Sequence, residues 1–460
     1  MSKKRIVVLG AGFGGLEFAK KFEAPDTEVL VIDRQNHHLF QPLLYQVATA
    51  GLSAPEIAAP IRKILRKKRQ VRVLLDEVLE IRLSQKSILL RDEEELSYDY
   101  LVIAVGARTN YFGNDQWEAF APGLKTLDDA TRMRQNVLLA FEEAERTSDA
   151  EEIKRLTTIV VIGGGPTGVE LAGAFAELTR HVLSCDFHHI DAQTPRIILL
   201  EVAPRILLPF TEKLSASAKH QLETLGVDVR LNQKIKDIDA DGVTLENERI
   251  DAANIFWGAG VVGSPVLETM GIELARGNKI PVEPDCSVPG YPEVFAVGDI
   301  VALKDTQGKP VPGVSPAAMQ MGRHVAKVIR GELTSGQVRP PAERAAFTYK
   351  DKGSMATIGR SRAVAQIGKL HFGGFFAWLA WLGVHLVFLI GFRNQLAVLI
   401  QWFYSYINYK RGARIITGLD STFLIRNPKA KPISRIERMV ERLHGKAEKL
   451  PPTPVADKDD

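Results

Sequence analysis

Two glycine-rich turns, each set between a short apolar run and an alanine-rich helical stretch, constrain this chain more than any other feature. The first reads Ile6-Val7-Val8-Leu9-Gly10-Ala11-Gly12-Phe13-Gly14-Gly15. The second reads Ile159-Val160-Val161-Ile162-Gly163-Gly164-Gly165-Pro166-Thr167-Gly168. Each carries G-x-G-x-x-G, the pattern that opens a dinucleotide-binding βαβ unit. The glycines divide the work. Gly10 and Gly163 allow the tight turn out of the strand, and Gly12 and Gly165 let the backbone approach a pyrophosphate. Gly15 and Gly168 let the helix close on its strand. The helix N-terminus then offers unpaired N–H groups and a positive dipole end to the phosphate. A single such turn is weak evidence, because strand-to-helix glycine turns also occur without a ligand. Two in the same context predict two dinucleotides, FAD and NADH, with a hydride passed between them.

An acid should end the second strand of each unit and accept from the adenosine ribose. Glu28-Val29-Leu30-Val31-Ile32-Asp33 places Asp33 about 20 residues past Gly10. Arg196-Ile197-Ile198-Leu199-Leu200-Glu201 is the matching strand of the second unit, delayed by a polar loop between residues 181 and 195. Glu201 accepts from a 2′-hydroxyl and repels a 2′-phosphate, which favours NADH over NADPH. Arg205 lies close enough in sequence to leave that preference open.

The strand–helix alternation predicts an α/β protein with parallel sheets, built from two Rossmann-like domains. The expected FAD-binding domain comes in two parts, residues 1–115 and 289–368. An NADH-binding domain, residues 116–288, is inserted between them. The turns Ala104-Val105-Gly106 and Gly258-Ala259-Gly260 each follow a buried strand and close a unit. At Val297-Gly298-Asp299 an acid at a strand end suits a flavin ribityl chain, or else caps the next helix.

Composition narrows the chemistry. The net charge of +4 is too mild to point to nucleic acid. Cys185 and Cys286 are far apart and form no C-x-x-C pair, so electrons leave the flavin without a protein disulfide in between. No metal site is expected. The first strand begins at Lys4 with no room for a secretory signal, so the catalytic part is expected in the cytosol.

Composition shifts after residue 365. Gly373 to Phe392 holds one readily ionisable side chain, His385, read as a satisfied buried histidine rather than a ligand. Gln395 to Tyr409 reads as amphipathic, with Asn394, Gln401, Ser405 and Asn408 on one stripe. Lys410, Arg411 and Arg414 follow. Aromatics and cations at the end of an apolar helix suit a membrane interface, with a buried core helix or a dimer interface as the alternative. Residues 369–445 are therefore expected as membrane-binding helices lying on the cytoplasmic face (373–414 the contact), peripheral rather than spanning. Residues 446–460 are expected as a disordered tail, and homodimerisation is left open.

The chain resembles the type II NADH:quinone oxidoreductases, single-subunit respiratory NADH dehydrogenases that do not pump protons. Phe40-Gln41-Pro42-Leu43-Leu44-Tyr45-Gln46 matches the family segment beside the flavin, and Gly163 to Glu170 matches its NADH loop. Trp257 to Val261, Val297-Gly298-Asp299 and Tyr349 to Ala356 match as well. The resemblance implies FAD contacts from Gln46, Ala104, Gly106, Gly298 and Asp299, and an NADH contact at Gly260. It implies that Glu170 relays a proton or touches quinone, that Gln320 donates to a quinone carbonyl, and that Lys352 stabilises charge on reduced flavin. The family's A-Q-x-A-x-Q-x-G stands here as Ser315-Pro316-Ala317-Ala318-Met319-Gln320-Met321-Gly322. Pro316, Met319 and Gln320 are thus the expected quinone positions, with proline replacing the first glutamine. A soluble ferredoxin or rubredoxin reductase has no use for Gly373 to Phe392, and a redox sensor has none for 315–322.

Overall fold

The computed structural model describes residues 3–191, 194–305, 308–408 and 412–416. The first glycine turn joins β1 (Lys4–Leu9) to α1 (Phe13–Lys21). There follow β2 (Thr27–Asp33), the short helices α2 (Leu44–Ala48) and α3 (Ile61–Leu65), β3 (Val71–Leu75) and β4 (Tyr100–Ile103). β1 pairs in parallel with β2 on one side and β4 on the other. Ile6, Val7, Val8 and Leu9 have no accessible surface. A parallel strand covered on both faces reads as an unbroken apolar run, which is why alternation is missing from this segment.

The second glycine turn repeats the plan with β5 (Thr158–Ile162), α4 (Pro166–Leu178), β6 (Arg196–Leu200), β7 (Val227–Arg230) and β8 (Asn254–Trp257). These form a four-stranded parallel sheet in the order β7-β6-β5-β8. β9 (Tyr291–Ala296) then returns to the first sheet beside β4, with Val294 opposite Leu101. One sheet is thus drawn from both sides of the other in sequence.

α5 (Ser315–Ser335) lies along α1. The approach needs glycine, since a Cβ on Gly322 would overlap the carbonyl oxygen of Gly14. Glu17, 4% exposed, meets Arg323 Nε at 2.7 Å across this contact. An antiparallel sheet of Ser354–Gly359, Arg362–Ile367 and Leu370–Gly373 carries the chain to α6 (Phe375–Phe388) and α7 (Phe392–Asn408).

The apolar stretch from Gly373 to Phe392 is not one helix. Its start belongs to a strand, and the chain turns between α6 and α7, with Leu389 extended and Gly391 at φ +95°. The 14 residues of α6 rise about 21 Å, short of the ~30 Å of a hydrocarbon core. Among the described residues no helix is long and apolar enough to cross a membrane. The polar stripe of α7 faces the protein. Asn394 Nδ2 donates to the carbonyls of Pro55 and Ala58, each at 3.3 Å, while Phe403 is 67% and Ile400 58% exposed. The side chain of Asn408, the residues Lys410 and Arg411, and the expected tail lie outside the described residues.

Candidate functional site

The two glycine turns have the same local geometry. Gly10 sits at φ +94° and Gly163 at φ +104°, a region open to glycine at no steric cost. A Cβ on Gly15 would overlap the carbonyl oxygen of Gly10, and one on Gly168 would overlap that of Gly163. A Cβ on Gly12 or Gly165 would meet nothing within 4 Å. Each turn therefore closes on itself where the helix packs and stays open where a pyrophosphate would lie. Each also has a closing turn against it. Ala104 N–H donates to Leu9 O at 2.8 Å, and Gly258 N–H donates to Ile162 O at 2.7 Å. Gly106 (φ +70°) and Gly260 (φ +69°) end these turns.

The acids correspond as well. Asp33 accepts from Ala11 N–H at 2.7 Å and from Gln35 N–H at 2.8 Å. Glu201 accepts from Gly164 N–H, and from Ala203 N–H at 2.7 Å. In both units the acid ties down the residue after the first glycine. Burial raises the Asp33 carboxyl, against the pull of its two backbone donors. Asp33, Gly10 and Gly106 wall a cavity of about 570 Å³, so the donor set and the space fit the adenosine half of FAD. Arg205 is spent locally, donating to Phe210 O at 2.8 Å and Leu208 O at 2.9 Å. Both terminal nitrogens of its guanidinium are thus engaged by the backbone.

Further along the first sheet, Gly298 (φ +90°) donates its N–H to Met321 Sδ at 3.3 Å. The neighbouring Asp299 is half-buried. Burial pulls the Lys125 ammonium down, and the Asp299 charge pulls it up. That electrostatic influence of Asp299 on Lys125 could not be read from sequence, since the two are far apart in the chain.

A cavity of about 920 Å³ runs from α1 to the turn after α6. Phe13, Pro316, Met319 and Lys352 line one part, and Val387 and Phe388 another. Pro316 sits in the first turn of α5, where proline is well tolerated because its missing N–H has no helical partner. Gln320 is not among the lining residues. Its amide is used on both sides, donating to Lys350 O and accepting from Lys350 N–H, each at 3.0 Å. Gln320 thus anchors the segment that carries Lys352.

Glu170 is placed elsewhere. It lines a smaller cavity of about 130 Å³ with Gln46, Trp381 and Trp402. Burial pushes its carboxyl up to about 8, opposed by a hydrogen bond from Thr357 N–H. Gln46 Nε2 donates to Tyr45 Oη at 2.7 Å, and Gln46 Oε1 accepts from Trp402 Nε1 at 2.8 Å. The three expected catalytic side chains therefore occupy three different settings.

His385 lines the large cavity. Its Nδ1 lies 2.7 Å from Trp381 O, its ring stacks on Trp381 at 4.1 Å, and burial lowers its pKa to about 4. Cys185 is exposed, Cys286 is buried, and neither is in a disulfide. Among the described residues no group of three or more His, Cys, Asp or Glu could hold a metal ion.

Residues 4–322 match the pyridine nucleotide-disulphide oxidoreductase family, and residues 352–409 match the NDH2 C-terminal domain. The type II NADH:quinone oxidoreductase Ndh of Mycobacterium tuberculosis is 45% identical over 427 residues, 90% of each chain. NdhA of the same organism is 44% identical over 429 residues, again 90% of each. The structure of NDH2 from Plasmodium falciparum in complex with NADH superposes with a TM-score of 0.82 at 22% identity. It covers 90% of this chain and 100% of that one, a likeness of fold. Two nucleotide cradles, the C-terminal helices and these relatives agree: the chain belongs to the type II NADH:quinone oxidoreductases, the FAD-dependent NADH dehydrogenases that do not pump protons.

Proposed function

We propose that this chain oxidises NADH and reduces a quinone drawn from the cytoplasmic face of the membrane, each substrate at its own site. One observation carries the reading. The cavity of about 920 Å³ has Phe13 of the first cradle's helix in one wall and Phe388 in another, and Phe388 is 50% exposed. A cavity lined at once by Phe13 and by Phe388 offers a quinone head group a place between the helical face and the flavin side. FAD, when bound, supplies the two-electron chemistry between the two substrates.

The residues of the chain do the rest. The cradle at Gly10, Gly12 and Gly15, with Asp33, Gly106 and Asp299, holds FAD; Gly163, Gly165, Gly168 and Glu201 hold NADH. Glu201, with Arg205 engaged elsewhere, selects a 2′-hydroxyl over a 2′-phosphate. Lys352 brings a positive charge to the cavity wall, where negative charge develops during reduction. Pro316 and Met319 shape the apolar wall, and Gln320 holds the Lys352 segment in place. Glu170, protonated at neutral pH, lies outside that cavity, in the smaller one beside Gln46, and serves as a proton store on the flavin side rather than as a direct quinone contact. The apolar faces of α6 and α7 seat the chain on the bilayer.

Stopped-flow measurement of the two half-reactions tests this. Lys352→Ala and Glu170→Gln should slow quinone reduction by about 10²-fold while changing flavin reduction by NADH only slightly. Normal quinone turnover in both variants would remove these residues from the reaction.

A further inference from the structure

We infer that α3 and the turn after it form an electrostatic docking surface for the phosphate headgroups of an anionic bilayer. The inference rests on the membrane reading of α6 and α7 given above. Between Ile61 and Arg72 the chain carries seven basic side chains and no acidic one. Two are paired: Lys68 with Glu23 at 2.7 Å, and Arg72 with Glu28 at 3.0 Å. The other five, Arg62, Lys63, Arg66, Lys67 and Arg69, are exposed and make no ion pair among the described residues. Ile61 and Leu65, 0% and 3% exposed, anchor α3 in the core and turn the cations outward. Arg62 and Lys63 lie on α3, and Arg66 and Lys67 in the turn directly after it, so four like charges crowd within two turns of chain and repel one another. A surface of fixed anions relieves the repulsion of such a cluster.

Shape and place point to lipid. A groove of about 550 Å³ lies along the segment, with Arg62, Arg66 and Arg69 beside Leu65, Val71 and Leu74. A cationic rim over an apolar floor matches a phosphate headgroup with its glycerol and first methylenes. The segment also adjoins the apolar face. Asn394, at the start of α7, holds the carbonyl of Ala58, and Phe392 beside it is 79% exposed. Arg62 follows Ala58 by four residues, so their Cα atoms are within about 14 Å. Arg393, exposed next to Phe392, extends the cationic border. Side chains of that border that come within about 8–10 Å of an anionic leaflet lie inside its Debye length and feel its surface potential.

Vesicle co-sedimentation of the full-length flavoprotein tests the inference. The probes are neutral phosphatidylcholine vesicles and vesicles in which part of the lipid is phosphatidylglycerol. Wild type should bind both, the anionic vesicles more tightly and with a steep loss on adding salt. Replacing Arg62, Lys63, Arg66, Lys67 and Arg69 together by Gln should cost about a thousandfold on anionic vesicles and leave neutral vesicles unaffected. Lys63→Gln with Lys67→Gln, two exposed positions, should lose part of the anionic preference even if the fivefold variant folds poorly. An unchanged anionic preference in both variants overturns the inference. So does competition by inorganic phosphate beyond that of chloride at equal ionic strength, or binding of duplex DNA as tight as that of anionic vesicles. Failure of the underlying reading looks different: wild type would then ignore neutral vesicles, while the basic variants would still lose binding to anionic ones.

Discussion

Single side chains in this molecule are set by where the chain buries them. Glu170 and Lys352 carry opposite charges when ionised, yet Lys352 is exposed while Glu170 is half-buried against a small, largely apolar cavity. The Glu170 carboxyl, pushed up to about 8 by desolvation, keeps its proton at neutral pH and loses it as pH rises through about 8. If that proton goes to quinone, the rate of quinone reduction should be level below pH 8 and fall above it, tending to tenfold per pH unit. Glu170→Gln should lower the plateau and flatten the fall, while the rate of flavin reduction by NADH keeps its own profile. An alkaline limb that survives in Glu170→Gln would assign the titration to another group. The paired acids Asp33 and Glu201 illustrate a second point at this scale. Each spends a carboxylate oxygen on the residue after the first glycine of its turn, so each shapes the cradle in addition to the ribose contact proposed for it. Their positions were legible in the sequence because strand ends and glycine spacing are local. The role of Gln320 was not, because the partner that occupies both ends of its amide, Lys350, is 30 residues away.

Elements are held to one another by a few contacts that tolerate little change. α5 is tied to the first sheet through a buried ionic cluster. Arg344 donates to Asp285 at 2.8 Å and to Glu332 at 2.7 Å, with all three side chains at most 1% exposed. Tyr100 of β4 donates to the same Glu332 at 2.9 Å. Removing one member leaves buried charge without a partner, which costs far more than the pair contributes. Arg344→Met should therefore destabilise the fold by about 3–5 kcal/mol, read from the midpoint of urea unfolding. Adding Asp285→Asn and Glu332→Gln should recover more than half of that loss. Equal stability of Arg344→Met and wild type would show that water reaches the cluster. Sequence patterns identified the strands and helices of both nucleotide units because their periods are local and strong. They marked the polar stripe of α7 but not its direction. The usual rule turns such a stripe to solvent; here Asn394 faces the backbone of residues 55–58, leaving the apolar side out. What decides the direction is the tertiary partner, together with Trp402 reaching Gln46.

For the whole molecule, the apolar surface is concentrated at the C-terminal helices. Phe376 is 74%, Phe392 79% and Phe403 67% exposed, on two helices too short to span a bilayer. A patch of that kind marks an interaction surface, and in-plane burial of α6 and α7 in a bilayer is the arrangement proposed to cover it. Deleting the helices is a poor test, because Trp381 is 1% exposed and stacks edge-on against Tyr45, so truncation would also open the protein beneath. Replacing Phe376, Phe392 and Phe403 by Ser leaves that packing alone. Burying a phenylalanine is worth about 1.5–3 kcal/mol, and partial insertion of three still amounts to about a hundredfold in partition. The triple variant should therefore float free of neutral vesicles. It should keep wild-type rates with NADH and a water-soluble quinone analogue, because none of the three lines the large cavity. With a long-chain quinone in vesicles its rate should fall at least about tenfold, since the substrate is then held in a phase the enzyme no longer touches. If the variant still turns over bilayer quinone at the wild-type rate, α6 and α7 are not the route by which quinone arrives. The exposed phenylalanines would then belong to a protein–protein contact, and the same variant would lose that contact in sedimentation velocity.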